Sequence, residues 1–406
     1  MNMHTTDLRS RAAATPSRST FILLISAILL AAANMRAAIT SVPPLATMIR
    51  ESTGLSTSAM GWLTTIPLIG FAIFSPLAPA FARKFGIERT LAASLLIMTA
   101  GIAIRGAASV PMLFVGTIGI GIAIAVCNVL LPSIVKKNFT NSIGLMTGLY
   151  SMTMGLVGAI SAATSVPLAQ RAGLGWSNTL LVWGAVSMLG FCAWLIQARA
   201  ARTRANVGTA ESGHRRTNVW TSGLAWQITL FMGLQSFNFY IAVAWLPDML
   251  ISKGFTSEHA GYMLSLMQIM GIPVNLLIPI IAERMKDQRL AIVAAGLVSI
   301  TGYIGLFSNE AASLTAAVVL MGLGQGASIS LLFMLFALRT KHAADAAALS
   351  GMAQSMGYVL AALGPIGLGL LHDATGSWKW PIAVMVTIGC AMTIFGMASG
   401  RKRYVE

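Results

Sequence analysis

The chain has 406 residues, 56% of them hydrophobic and only 10% charged. Soluble domains carry about 25% charged residues, so too few charges remain here to coat a soluble core, and a soluble enzyme is excluded. The formal net charge of +15 would suit a nucleic-acid partner. That reading needs a basic patch on a folded domain, and no loop between the apolar stretches is long enough to build one.

In chain order, a tail at 1–19 carries Arg9, Arg11 and Arg18 and leads into the first apolar stretch. Windows of about 20 residues, the length that crosses a bilayer as a helix, place twelve spans. Six lie at 20–47, 58–82, 89–107, 112–135, 143–169 and 176–198; six more lie at 221–250, 259–282, 290–308, 312–338, 346–371 and 378–399. A longer linker at 199–220, with Arg199, Arg202, Arg204, Arg215 and Arg216, divides one six-helix bundle (20–198) from a second (221–399), which a tail at 400–406 follows. The first span shares some marks of a secretory signal: Arg18, an apolar run at 21–30 and alanines at 31–33. The stretch continues past Arg36 to Ile49, and cleavage would put the termini on opposite sides, so an uncleaved span is expected.

The loops differ in charge by side. One set holds Arg83, Lys84 and Arg89, Lys136 and Lys137, the linker arginines, Arg284, Lys286 and Arg289, Arg339 and Lys341, and Arg401, Lys402 and Arg403. The opposite loops hold only Arg50, Arg171, Lys253 and Lys379. Basic loops stay inside, which puts both termini of this multi-pass membrane protein in the cytoplasm. Cys127, Cys192 and Cys390 each sit in an apolar run without a CxxC or Cys/His cluster. They read as small buried hydrophobes, and no disulfide, metal or other cofactor is expected.

The halves repeat each other. Pro79, Ala82 and Arg89 match Pro279, Ala282 and Arg289 at an offset of 200, as Gly61 matches Gly261. Gly119, Gly121 and Lys136 match Gly322, Gly324 and Arg339 at 203, and Met154-Gly155 matches Met356-Gly357 at 202. A parallel repeat of a six-helix unit is an architecture of secondary transporters, with the substrate near the midplane between the halves.

Several stretches then resemble the major facilitator superfamily, and within it the cyanate permease and 2-nitroimidazole transporter family, with the nitroimidazole branch nearest. They are Asn34-Met-Arg36-Ala-Ala-Ile-Thr40-Ser-Val-Pro43, Gly61-Trp-Leu-Thr-Thr-Ile-Pro67, Ala82-Arg83-Lys84-Phe-Gly86-Ile-Glu88-Arg89 and Asn128-Val-Leu-Leu-Pro132. Trp245-Leu-Pro247, Ser350-Gly-Met-Ala-Gln354-Ser-Met-Gly357-Tyr358 and Gly364-Pro365 continue the likeness over nearly the whole chain. The resemblance implies an all-α membrane protein of twelve helices in two pseudo-repeated bundles, and transport rather than catalysis. The superfamily motif after span two has an acid where this chain has Arg83 and a base where it has Glu88. Arg83, Lys84, Glu88 and Arg89, with Glu283 and Arg284 in the second half, therefore read as a cytoplasmic gate.

Arg36 stands about sixteen residues, or about 24 Å, along span one, too deep for easy snorkelling. An arginine there costs about 2.5–3.5 kcal/mol on insertion scales. It is expected to anchor an anionic or strongly polar ligand through its planar fork; the alternatives are satisfaction by carbonyls freed near Pro43-Pro44 or reach to the outer interface. Thr40, one turn on, would add a hydroxyl. The neutral groups Asn128, Tyr150, Gln235, Asn238, Gln268, Gln325, Gln354 and Tyr358 suit a small polar solute, each set against plain interhelical hydrogen bonding. Arg105, near the outer end of span three, is expected to snorkel.

All twelve acidic residues fall in linkers, tails or span ends, so a central carboxylate proton relay is not expected. The function expected is alternating-access transport of a small polar or anionic organic solute, 2-nitroimidazole-like or cyanate-like. Such a chain needs the bilayer and its solute as partners, no nucleic acid and no obligate protein, and works as a monomer. A proton-driven multidrug exporter would need a buried carboxylate, and a membrane sensor would need a sizeable soluble domain.

Overall fold

A computed structural model describes residues 18–55, 57–107, 109–205 and 218–406. The tail at 1–17 and the linker between 206 and 217 lie outside it. Uncharged runs of this length have one way to satisfy every peptide group without water, the α-helix, and the described residues are helical with short connections. In the first half these are α1 (Arg18–Thr40), α2 (Ala46–Thr53), α3 (Thr57–Phe74), α4 (Ala78–Phe85), α5 (Ile87–Arg105), α6 (Val110–Asn138), α7 (Ile143–Val166) and α8 (Gly175–Ala205). In the second half they are α9 (Gly223–Ile251), α10 (Ser257–Glu283), α11 (Arg289–Gly305), α12 (Ala311–Leu338), α13 (Ala343–Thr375) and α14 (Lys379–Ser399).

Among the described residues, ten helices are long and apolar enough to span a membrane, and α3 with α4, bent by 56°, makes an eleventh if the pair is one span. The bend falls at Ser75-Pro76-Leu77, where proline withholds a helix N–H. The twelfth predicted span is α11, with 17 residues. One boundary differs from the sequence reading. Helix α8 continues to Ala205, so the linker begins later than 199. The segment after α14 is not a loose tail: Val405 is buried and its N–H donates to the Arg339 carbonyl at 2.8 Å, while Lys341 and Glu406 pair at 2.9 Å. The Arg339 guanidinium donates to the carbonyls of Ser399 and Gly400 and to the Gln288 side chain. Burial brings its pKa down to about 10, with Asp287 opposing, so it stays cationic at neutral pH.

Packing repeats between the halves in a register that the sequence did not give. A Cβ on Gly70 would lie 3.3 Å from Gly121, and one on Gly271 would lie 3.4 Å from the Gly322 carbonyl. Likewise Gly101 meets the Gly116 carbonyl at 2.8 Å and Gly302 meets the Ala317 carbonyl at 2.9 Å. All four equivalences have an offset of 201, in place of the 200 and 203 read from sequence. Glycines two or three apart in α6 and α12 match equally well at several offsets, and only their packing partners select one.

Gly116 also explains Arg105. With no side chain at Gly116, α6 approaches so closely that a Cβ there would lie 2.6 Å from the Arg105 backbone nitrogen. Arg105 is turned inward, 2% exposed, and donates to the Ala38 carbonyl of α1 at 2.7 Å. It ties helices within the first half and does not snorkel.

One large buried cluster joins the halves at their cytoplasmic ends, combining Ile28, Leu131 and Tyr150 with Phe333, Leu335 and Met352. Toward the outer face each half has its own core: Val42, Leu45, Leu113 and Trp176 in one, Ile241, Leu246, Met267 and Leu314 in the other. The halves are thus sealed inside and separate outside, an outward-facing arrangement.

Candidate functional site

At the level where the shared core gives way to two cores, α1 presents Arg36 to the second half. Arg36 is half-buried, and among the described residues its guanidinium has neither a hydrogen bond nor an ion pair. The carbonyls near Pro43-Pro44 do not satisfy it. Its stem rests on α7, where a Cβ on Gly158 would lie 3.4 Å from the Arg36 Cβ, and its guanidinium lies over the Phe239 ring of α9, 5.7 Å from the centroid. Cation–π contact offsets part of the cost of removing the charge from water but leaves the N–H donors unspent.

Further rings continue from this contact. Phe239 and Tyr240 have centroids 5.4 Å apart, Tyr240 and Tyr358 of α13 6.4 Å, and Tyr358 and Phe71 of α3 5.0 Å. Tyr240 and Tyr358 carry the two phenols of this row. Neither phenol has a hydrogen-bond partner among the described residues. Counted along their helices from the cytoplasmic starts, Arg36, Phe239, Tyr240 and Tyr358 all lie about 22–27 Å in. One cation from the first half and three rings from the second therefore share a level.

The other predicted ligands divide by what they bind. Thr40 is engaged inside the first half, its hydroxyl 2.6 Å from Ser161 Oγ, 2.9 Å from the Arg36 carbonyl and 3.1 Å from the Gly158 carbonyl. Gln235 donates to Gln325 at 2.8 Å, Gln325 donates to the Tyr303 hydroxyl at 2.6 Å, and Asn238 donates to the Met385 carbonyl at 3.1 Å. These amides tie α9 to α11, α12 and α14, the plain interhelical role. Gln268 is exposed on α10. Asn128 is buried on α6 with no hydrogen-bond partner among the described residues. Gln354 donates to Ser350 at 2.8 Å while its carbonyl oxygen is buried and unpaired, as is the Tyr150 hydroxyl. Asn128, Gln354 and Tyr150 lie nearer the cytoplasm than Arg36, and Tyr150 packs on Phe333 across the seam at 6.0 Å.

Sequence reasoning did not select Phe71, Phe239 or Tyr240 as candidate site residues. Asn238 and Phe239 are neighbours, but successive helical residues point about 100° apart, so the amide faces its own half while the ring faces Arg36.

The cytoplasmic seam is closed by two equivalent backbone contacts. A Cβ on Gly148 of α7 would lie 2.6 Å from the Leu276 carbonyl, and one on Gly351 of α13 would lie 2.8 Å from the Ser75 carbonyl. Leu276 and Ser75 are again 201 apart, while the α7 and α13 positions differ by 203, not 202. Such reciprocity is what a two-fold axis between halves produces. Ser133 donates to the Ala343 carbonyl at 2.5 Å and Ser355 to the Ala72 carbonyl at 2.7 Å, both across the seam. Of the predicted gate residues, Glu283 lies against Gly144 at the start of α7, where a carboxylate complements the helix N-terminus. Arg83 lines a cleft at the seam with Trp220 and Met352. Glu88 pairs with Lys137 at 2.6 Å within its own half, Lys84 lies over Phe85, and Arg89 and Arg284 are exposed.

Two pseudo-repeated helical bundles of membrane-spanning length, sharing one buried core at their cytoplasmic ends, have the architecture of a secondary transporter. The chain belongs to the Major Facilitator Superfamily, whose family model matches residues 24–362. Over 385 residues it is 42% identical to the 2-nitroimidazole transporter of Escherichia coli (strain K12), covering 95% of this chain and 97% of that one. It is also 42% identical over 383 residues to the uncharacterized transporter YycB of Bacillus subtilis (strain 168), covering 94% of each. The cyanate transport protein CynX of Escherichia coli (strain K12) is 27% identical over 367 residues, covering 88% of this chain and 92% of that one. Its place within the superfamily is with these cyanate and nitroimidazole transporters. Among solved structures, the fold matches the transporter FucP in the outward conformation with a TM-score of 0.74 at 12% identity, over 94% of this chain and 100% of that one. The human organic anion transporter MFSD10 matches with a TM-score of 0.71 at 14% identity, over 94% and 99%.

Proposed function

We propose that the chain carries a small polar or anionic organic solute, of the 2-nitroimidazole or cyanate kind, by alternating access of its two halves around Arg36. The observation that carries this reading is the unpaired guanidinium of Arg36, half-buried between the halves. A buried cation without a partner is costly, and an anionic or strongly polarised solute supplies the missing acceptor. The outward-facing arrangement supports loading from outside, and the reciprocal contacts at Gly148 and Gly351 form the seal that must part for inward release. Thr40, Gln235, Asn238 and Gln325 serve helix packing in this reading, while Asn128, Gln354 and Tyr150 line the way inward.

With every acidic residue outside the middle of the spans, the transport step proceeds without a central carboxylate relay. A membrane potential negative inside opposes entry of an anion by about 2.3 kcal/mol per 100 mV, whereas a neutral solute is indifferent to it. The 2-nitroimidazole transporter similarity favours the neutral case. The test is counterflow of labelled 2-nitroimidazole in proteoliposomes of the purified chain. Saturable accumulation that is unaffected by an imposed proton gradient supports the proposal; accumulation that follows the proton gradient, or none at all, contradicts it.

A further inference from the structure

We infer that the site selects flat aromatic solutes bearing two coplanar oxygens, aromatic carboxylates as well as nitroarenes, and that Phe239 is the residue that sets this preference. The inference rests on the reading that Arg36 holds the solute. The Arg36 guanidinium carbon lies 5.7 Å from the Phe239 centroid, and its N–H fork has no hydrogen-bond acceptor among the described residues. The fork matches two oxygens lying in one plane at carboxylate spacing. A nitro group and a carboxylate both present that pair; cyanate, linear with a single oxygen, engages one prong.

The rest of the wall rewards a ring. Phe71, Tyr240 and Tyr358 extend the aromatic surface from Phe239, with successive planes inclined at 80°, 63° and 52°. Inclined rings of this kind take a flat guest by edge-to-face and offset contact. The phenols of Tyr240 and Tyr358, without hydrogen-bond partners among the described residues, add neutral donors for a ring nitrogen or ring hydroxyl. A small hydrated anion gains nothing from these surfaces and must still shed its water.

The experiment is competition against 2-nitroimidazole uptake in proteoliposomes of the full chain, with benzoate, acetate and cyanate as competitors. Acetate keeps the two oxygens and lacks the ring. Benzoate is expected to compete at concentrations about tenfold or more below acetate and cyanate, the discrimination that aromatic contact supports. Phe239→Leu should bring the three competitors close to parity, and Phe239→Tyr, which keeps the ring, should restore the preference. Should Phe239→Leu fail to fold, the wild-type order of competitors and the Phe239→Tyr and Tyr358→Phe variants still decide, because each keeps its ring and must keep the order. Acetate or cyanate competing as well as benzoate overturns the inference while leaving the Arg36 site standing. So does a folded Phe239→Leu with the wild-type order. Absence of saturable, Arg36-dependent uptake of both 2-nitroimidazole and benzoate overturns the proposed site and this inference together.

Discussion

The Arg36 guanidinium lies 5.7 Å from the centre of the Phe239 ring, the first from one half of the molecule and the second from the other. In the proposed function this relationship couples binding to conformation. A solute held by the fork touches both halves at once, and rocking of the halves must change the cation–ring contact. The contact leaves the N–H donors of Arg36 free for the solute proposed above.

The seal at the cytoplasmic end depends on two absent side chains. A Cβ at Gly148 or Gly351 would lie within 2.6 or 2.8 Å of a backbone carbonyl, and backbone cannot step aside as a side-chain tip does. Gly148→Val or Gly351→Val is therefore expected to part the seam and shift the population inward. Spin labels on cysteines introduced at Ser142 and Lys286, with the native cysteines removed, measure this as a longer distance. An unchanged distance distribution would contradict the seal.

The amide pair in the second half is a packing device. Gln235 donates to Gln325, which donates to Tyr303, so replacing one partner strands the other. Leaving a buried polar group unsatisfied costs about 1–3 kcal/mol, whereas removing both partners is nearly neutral. Gln235→Leu and Gln325→Leu should each lower thermal stability in detergent, and the double variant should recover part of the loss. Simple addition of the two losses would show that the pair is not coupled.

Thr40 gives a similar contrast. Its hydroxyl is occupied by Ser161 and by the carbonyls of Arg36 and Gly158. Thr40→Val should cost about 0.6 kcal/mol of stability, typical of such membrane contacts, and leave the KM for 2-nitroimidazole within about threefold of wild type. A larger KM increase would place Thr40 in the binding site.

At the cytoplasmic face Arg339 gathers Gln288, Ser399 and Gly400 beneath the segment ending in Val405. Hydrogen bonds to a charged group are worth about 1.5–3 kcal/mol. Arg339→Ala is expected to lower stability by about that amount and to free the 400–406 segment, read as faster proteolysis there with the order of transported solutes unchanged. Protection equal to wild type would contradict the strap.

Much of this was legible in the sequence, and the limits have physical causes. Uncharged runs of bilayer length give the spans, and the asymmetry of the basic loops gives their orientation. Arg36 stood out because a deep charge demands an explanation. The direction in which a side chain points is another matter. Asn238 and Phe239 are adjacent yet face different neighbours, and Gln235 reads the same from sequence whether it binds a solute or Gln325. Arg105 turns inward only because Gly116, eleven residues on, lets α6 come close. The repeat register escaped for a related reason, since closely spaced glycines match at several offsets until their packing partners are known.

The central claim is that Arg36 is kept for the solute and not for the fold, and thermal unfolding of wild type and Arg36→Gln, each with and without 2-nitroimidazole, tests it most directly. A ligand that binds only the folded state at a hundredfold excess over its Kd stabilises by about 2.7 kcal/mol. The account predicts that wild type gains stability with ligand, and that Arg36→Gln gains none. Without ligand, the variant should be at least as stable as wild type, because an unpaired deep cation has been removed. An Arg36→Gln protein that is less stable alone and still stabilised by 2-nitroimidazole would make the arginine structural and contradict the account.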